Sequence, residues 1–250
     1  MSATPAPMIE VRNLMVRYGK FQAVDDVSFE VARGDCVVIC GPSGSGKSTL
    51  LRCINALEPF QGGSVVVDGV DVATCPDLPG LRSHVGMVFQ HFELYPHMSV
   101  LDNITLALRK VQGMARAAAE ERGLDYLGRV GIANQARKFP AELSGGQQQR
   151  AAIARGLALE PKVMMFDEPT SALDPEMIAE VLAVMRDLAK GGMTMLVVTH
   201  EMGFAEEVAD EILFMNHGQL VERGKAAEFF RNPRSERARE FLDKVLRRRA

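Results

Sequence analysis

The chain has 250 residues, 24% of them charged and 47% hydrophobic, with a formal net charge of −3 and an isoelectric point near 6.0. That balance excludes a broad electrostatic attraction to nucleic acid or to an anionic membrane surface. Apolar runs such as Val163–Phe166 and Met195–Val198 are far shorter than the roughly 18 apolar residues that mark a spanning helix, so the chain is expected not to cross a bilayer.

Met1 to Pro7 carries no basic stretch followed by an apolar core, which gives no sign of a secretory leader and predicts a cytoplasmic protein. Ile9 to Glu30 and Gly63 to Val72 are short alternating runs that predict antiparallel strands in a small β subdomain. Tyr18 falls among them, where an aromatic ordinarily packs on or covers a strand. Val31 to Cys40 reads as a turn leading into a buried strand, Cys36–Cys40, followed at once by Gly41-Pro42-Ser43-Gly44-Ser45-Gly46-Lys47-Ser48-Thr49. Leu50, Leu51, Ile54 and Leu57 then recur at helical spacing. Strand, glycine loop and helix in this order fit a phosphate cradle: glycines let backbone N–H groups converge on phosphate oxygens, and the helix N-terminus adds favourable partial charge. In such a loop Lys47 reaches the β and γ phosphates, Ser48 ligates Mg²⁺ through its hydroxyl, and Thr49 steadies neighbouring contacts. Cys36, Cys40, Cys53 and Cys75 form no Cys-x-x-Cys pair, and reduced thiols, mostly buried, are expected.

A further apolar run, Val85 to Phe89, ends at Gln90, and His84, His91 and His97 match no metal-ligand spacing. From Ser99 to Leu157 the periodicity becomes helical: Leu101, Ile104, Leu108 and Val111 mark one helix, and Leu124, Leu127 and Val130 another. Leu143-Ser144-Gly145-Gly146-Gln147-Gln148-Gln149-Arg150 opens a third helix and so places a second anion-facing helix end on the chain. Val163–Phe166 predicts a buried strand ending in Asp167 and Glu168. Paired carboxylates at a strand end are commonplace, but beside a phosphate loop Asp167 suits support of Mg²⁺ and Glu168 suits the general base that polarises water. Asp174 and Pro175 predict a helix start, with Ile178, Val181, Leu182, Met185 and Leu188 as its apolar face. His200 emerges at the end of one more buried strand, Met195–Val198. This alternation predicts a largely parallel sheet with ligands at its carboxyl ends. Arg247, Arg248 and Arg249 read as a solvated basic end to the last helix.

The phosphate loop and Leu143–Arg150 together resemble the Walker A and signature motifs of the ATP-binding cassette (ABC) family, and the resemblance runs from about Ile9 to Leu246. It implies an α/β P-loop NTPase of the ABC ATPase fold, with a RecA-like core, a small antiparallel β subdomain and a helical subdomain. The parts of this single nucleotide-binding domain would be 1–90 (β subdomain and phosphate-loop part of the core), 91–157 (helical subdomain ending in the signature helix), 158–222 (rest of the core) and 223–250 (C-terminal helical tail). By the same resemblance Tyr18 stacks on adenine, Gln90 senses Mg²⁺ and water, and His200 contacts the γ-phosphate and orients Glu168. Ser171-Ala172-Leu173-Asp174 carries information between two sites, and Ser144, Gly145, Gly146 and Gln147 face ATP held by a second subunit. A monomer would carry two half-sites, ATP closing a head-to-tail homodimer and hydrolysis reopening it.

Phe89-Gln90-His91-Phe92, Pro96-His97-Met98, Ser171–Met177, Thr199–Ala205 and Phe229-Phe230-Arg231-Asn232-Pro233 look like the ATPase subunits of bacterial polar amino acid importers, of the glutamine, glutamate, histidine, arginine and cystine type. This implies two integral membrane permease subunits received at His91 to His97, a periplasmic or lipid-anchored amino acid-binding protein as an indirect partner, the cytoplasmic face of the inner membrane as the location, and no nucleic acid. The alternatives are a soluble ABC ATPase acting on DNA or ribosomes, an importer ATPase for another small solute, and a catalytically idle assembly module. The short spacing from Lys47 to Ser144 leaves room for a helical subdomain but not for a coiled coil, which disfavours the DNA-repair form. Gly156 departs from the family, standing where alanine is commoner, a change that in a helix costs about 1 kcal/mol.

Overall fold

The computed structural model describes residues 6–247. Met1 to Pro5 of the leader reading, with Arg248, Arg249 and the side chain of Arg247 from the basic-end reading, lie outside the described residues. In chain order the elements are β1 (Ile9–Tyr18), β2 (Phe21–Val31), β3 (Cys36–Cys40), α1 (Lys47–Ile54), β4 (Gly62–Val67), β5 (Val70–Asp71), α2 (Leu78–His84) and β6 (Val85–Val88). There follow α3 (Val100–Lys110), α4 (Arg116–Arg129), α5 (Gly145–Ala158), β7 (Val163–Asp167), α6 (Pro175–Lys190), β8 (Thr194–Val198), α7 (Met202–Val208), β9 (Glu211–Asn216), β10 (Gln219–Lys225), α8 (Ala226–Arg231) and α9 (Glu236–Arg247). They form two compact units, one made of Met1–Leu78 with Ala189–Ala250 and the other of Pro79–Leu188.

The first unit holds the antiparallel sheet β2-β1-β4-β5. Its alternating pattern buries Ile9, Val11, Leu14 and Val16 from β1 and Val27, Phe29 and Val31 from β2, as a sheet with one covered face requires. The same unit holds β3 between two parallel neighbours, β8 and β9, with β10 antiparallel at the far side of β9. Every residue of β3 and β8 is buried, which is why both read as unbroken apolar runs. Helix α1 ends sooner than its periodicity predicts: Asn55 caps it, Ala56 turns left-handed at φ 54, and Leu57, placed on the helical face by spacing, is 42% exposed.

In the second unit β6 and β7 pair in parallel, and α3, α4 and α5 pack on one another with α5 against β6. Ser99 caps α3, its hydroxyl accepting from the Asp102 N–H. Asn103, buried on the same helix, donates to the carbonyls of Tyr95, Met98 and Ser99 and accepts from the Tyr95 N–H, sewing the incoming segment to α3. Two predicted apolar positions are corrected here. Val111 is the C-cap of α3 and Leu124 lies on the outer side of α4, and both are exposed. The α5 glycine has a local reason: Met164 on β7 fills the space in front of both Gly156 and Gly86, so a Cβ on Gly156 would come within 3.1 Å of its Cε.

Candidate functional site

The phosphate loop lies in the first unit, between β3 and α1. Three of its glycines hold positive φ, 145° at Gly41, 76° at Gly44 and 97° at Gly46, and two are irreplaceable on steric grounds as well. A Cβ on Gly41 would fall 2.0 Å from the Met215 carbonyl oxygen, and one on Gly46 2.2 Å from that of Ala23. Gly46 is the N-cap of α1 and offers no side-chain cap, so the first N–H groups of the helix are left to an external acceptor. Lys47 is buried and folds its ammonium back across the loop, donating to the carbonyls of Gly41 (3.1 Å) and Pro42 (3.0 Å). The Ser45 hydroxyl is buried with no hydrogen-bond partner among the described residues. A buried hydroxyl in that state costs free energy unless a ligand satisfies it. The loop therefore fits a polyphosphate on its own geometry.

Two further predicted residues join the loop in this unit. Tyr18, 46% exposed, ends β1, and its hydroxyl is hydrogen-bonded to the side chains of Glu58 and Thr49. Partial burial, then the bond to the Glu58 carboxylate, raises its pKa. An aromatic face held beside the start of α1 is a surface on which a planar base can stack. His200 follows β8, whose Val198 pairs with Ile39 of β3. Gly41 and His200 thus leave the sheet at one carboxyl edge.

The other predicted residues belong to the second unit. Val88 pairs with Phe166, so Gln90 and the two carboxylates depart from the same edge of β6 and β7. Gln90 is exposed, Asp167 is 4% exposed, and Glu168 is half-buried. Glu168 takes a left-handed backbone at φ 48, which ends the regular alternation of the strand at that residue. The Ser171 hydroxyl donates to the Glu168 carboxylate at 3.0 Å.

Ser144 is the N-cap of α5 and forms a capping box with Gln147: its hydroxyl accepts from the Gln147 N–H at 3.3 Å, and its own N–H donates to Gln147 Oε1 at 3.1 Å. Gly145 and Gly146 are small because other chain lies against them. A Cβ on Gly145 would come within 3.0 Å of Leu173 Cδ2, and one on Gly146 within 3.0 Å of Met177 Cβ. The Gly146 N–H donates to the Met177 sulfur at 3.3 Å. The signature residues and the loop Ser171–Asp174 are thereby joined within one unit, a relation that no spacing in the sequence announces. Sequence reasoning gave no role to Arg155 and no separate role to the side chains of Met177 and Gln149, which meet Gly146, Phe89, Phe92 and Glu93 here. Their polar or apolar character was visible, but their partners are set by tertiary packing.

A model of the family described as ABC transporter matches residues 24–171. The chain is 57% identical over 240 residues to the glutamate/aspartate import ATP-binding protein GltL of Escherichia coli (strain K12), covering 96% of this chain and 100% of that protein. It is equally 57% identical to the glutamine transport ATP-binding protein GlnQ of Geobacillus stearothermophilus, over 96% of this chain and 99% of the relative. Among solved structures, a dimeric post-hydrolysis state of the ATP-binding cassette MJ0796 bound to ADP and Pi matches with a TM-score of 0.79 at 33% identity, covering 88% of this chain and 99% of that one. A structure of cbiO1 from Clostridium perfringens, part of the ABC transporter complex cbiONQ, matches with a TM-score of 0.81 at 27% identity, covering 96% and 95%.

Proposed function

The chain belongs to the ABC transporter family, and from that premise we propose that it is the ATP-hydrolysing subunit of an importer for a polar amino acid. Its fold is that of an ABC ATPase, it binds ATP, and its hydrolysis is coupled to transport. The observation that carries the cargo class is likeness over almost the full chain to glutamate/aspartate and glutamine import subunits.

In this reading the loop Gly41–Thr49 grips the phosphates, Lys47 turning its ammonium from the Gly41 and Pro42 carbonyls to the β and γ phosphates, and Tyr18 stacks on adenine. Ser48, Asp167 and Gln90 would hold Mg²⁺, which would supply positive charge to offset that of the phosphates. Glu168 accepts the proton of the attacking water, and His200 orients it at the γ-phosphate. Ser144, Gly145, Gly146 and Gln147 complete the site of a second copy, their helix end facing the phosphate held there. ATP binding to the closed dimer only, and its loss on hydrolysis, then drives closure and opening.

The partners that fit are a second copy of this chain, two integral membrane subunits seated against His91–His97, and, through them, an external amino acid-binding protein. Among the described residues no helix is long and apolar enough to cross a membrane, and attachment through the membrane subunits at the cytoplasmic face accords with this. Copurifying the intact complex and asking which amino acid stimulates its ATPase activity tests the proposal. Stimulation by an acidic or amide amino acid is expected. Turnover indifferent to every amino acid, with binding to DNA at physiological salt, would overturn it.

A further inference from the structure

Two side chains of α5 reach the backbone on either side of Gln90. Gln149, fully buried, donates through Nε2 to the Phe89 carbonyl at 3.2 Å. Arg155 donates through Nη2 to the Phe92 carbonyl at 3.4 Å and through Nη1 to the carbonyl of Glu93. Gln90 itself is exposed, so these fastened neighbours, not packing of its own side chain, fix where it stands.

As a device for stability alone this is a poor one. Gln149 Oε1 is buried without a hydrogen-bond partner among the described residues, and a half-satisfied buried amide is destabilising. The Arg155 guanidinium is desolvated, which lowers its pKa, and its bonds go to neutral carbonyls. Glu93 holds a left-handed backbone, φ 50, which a residue other than glycine adopts where its surroundings impose it. A third contact closes the group, since a Cβ on Gly145 would lie 3.5 Å from Phe92 Cζ. The segment from Phe89 to Glu93 is therefore fastened, at both flanks of Gln90, to the helix that Ser144 caps.

We propose that Arg155 and Gln149 are positioning residues for hydrolysis: they make the Phe89–Glu93 segment and the signature helix one mechanical body, so that Gln90, serving one half-site, and Ser144, serving the other, move together. The proposal rests on the roles given above to Gln90 and Ser144, but its test reads a distance within one subunit and needs no transport. Spin labels at the exposed His91 and Ala141, in full-length chain carrying Cys75→Ser and Glu168→Gln and diluted with unlabelled chain, report that distance by double electron–electron resonance.

The expected result is one narrow distance, unchanged by ATP with Mg²⁺. Arg155→Lys keeps the charge but not the planar fork, and Gln149→Leu keeps the bulk but not the Phe89 bond. Either should broaden the distance or make it respond to ATP. Returned to a Glu168 background, each should lower kcat by roughly fivefold or more with the KM for ATP held within about twofold, since orientation and not nucleotide affinity is lost. A distance that shifts with ATP in the parent overturns the proposal, as does a parental distance and turnover in both variants. If one variant does not fold, the other still breaks one fastening. Failure of every amino acid to stimulate the membrane complex would sink the importer reading and leave the distance result standing.

Discussion

The Ser171 hydroxyl donates to the Glu168 carboxylate at 3.0 Å while the Ser171 N–H donates to the Glu168 carbonyl at 3.2 Å. Glu168 sits at φ 48, a conformation that costs a residue with a side chain about 1–2 kcal/mol, and these two bonds help hold it there. If Glu168 is the base, Glu168→Gln keeps shape and loses proton acceptance, and turnover should fall by roughly a hundredfold or more. ATP should then hold the variant as a dimer in sizing chromatography, and persistent monomer would contradict the trans-completed site. Ser171→Ala leaves the carboxylate but not its tether. A several-fold loss of kcat at unchanged KM is expected, and a rise in KM alone would show that Ser171 serves nucleotide binding instead.

The phosphate-loop glycines separate by sterics. Gly44 and Gly46 both hold positive φ, but a Cβ on Gly44 meets nothing within 4 Å, whereas one on Gly46 meets the Ala23 carbonyl oxygen at 2.2 Å. Gly44→Ala should therefore cost only the backbone penalty of about 1–2 kcal/mol. Gly46→Ala adds a backbone clash and should cost clearly more. Denaturant unfolding without nucleotide compares them, and equal losses would refute the assignment of Gly46 to close packing.

Much of this was legible in the sequence for a physical reason: a strand buried on both faces is an unbroken apolar run, and a phosphate loop needs glycine at fixed offsets. The β3, β7 and β8 strands, the capped start of α5 and the antiparallel β1, β2 and β4 set follow from such local rules. Leu57, Val111 and Leu124 did not, because periodicity marks a face and not where the helix stops or how wide the covered stripe is. Nor could it foretell that Met177 would meet Gly146 or that Arg155 would meet Glu93, contacts between segments far apart in the chain.

Met164 makes the two glycines facing it unequal. A Cβ on Gly86 would lie 2.2 Å from its sulfur and 3.2 Å from Pro161 Cγ, while one on Gly156 would lie 3.1 Å from its Cε. Gly86→Ala must push Met164 out of a filled core and should destabilise by about 1–3 kcal/mol. Gly156→Ala needs a shift of a few tenths of an ångström, and its crowding is offset by the roughly 1 kcal/mol that alanine adds to a helix. Its melting temperature should stay close to the parent's. A larger loss at Gly156 than at Gly86 would reverse this account.

Burial pushes the thiols of Cys36, Cys40 and Cys53 up to about 12 from a usual value of 9.0. Raised acids stay protonated in the folded chain while the unfolded chain ionises, so stability is fully present below the unfolded value and is lost as pH rises from about 9 towards about 12. Melting curves across that range should show the decline, and replacing Cys53 with alanine should lessen its slope. At pH 8 only the half-buried Cys75 should react promptly with a thiol reagent, all four reacting in denaturant. Rapid reaction of a second thiol in the native chain would show that one of the three is not sealed.

Ser144 has two separable duties, because its hydroxyl caps α5 through the Gln147 N–H and is proposed to face the γ-phosphate of a second copy. Aspartate caps a helix about as well as serine, and its charge suits a helix N-terminus, so Ser144→Asp should melt no lower than the parent. The same charge repels a phosphate brought against it. Nucleotide should still bind at the phosphate loop, since that grip comes from Gly41–Thr49, yet ATP should no longer hold the dimer in a Glu168→Gln background. Ser144→Ala is the converse, losing about 1 kcal/mol of cap with no repulsion, and its dimer should weaken far less. Sizing chromatography with ATP beside thermal melts distinguishes the two duties. A Ser144→Asp chain that dimerises normally would mean that this helix end does not meet the nucleotide of its partner.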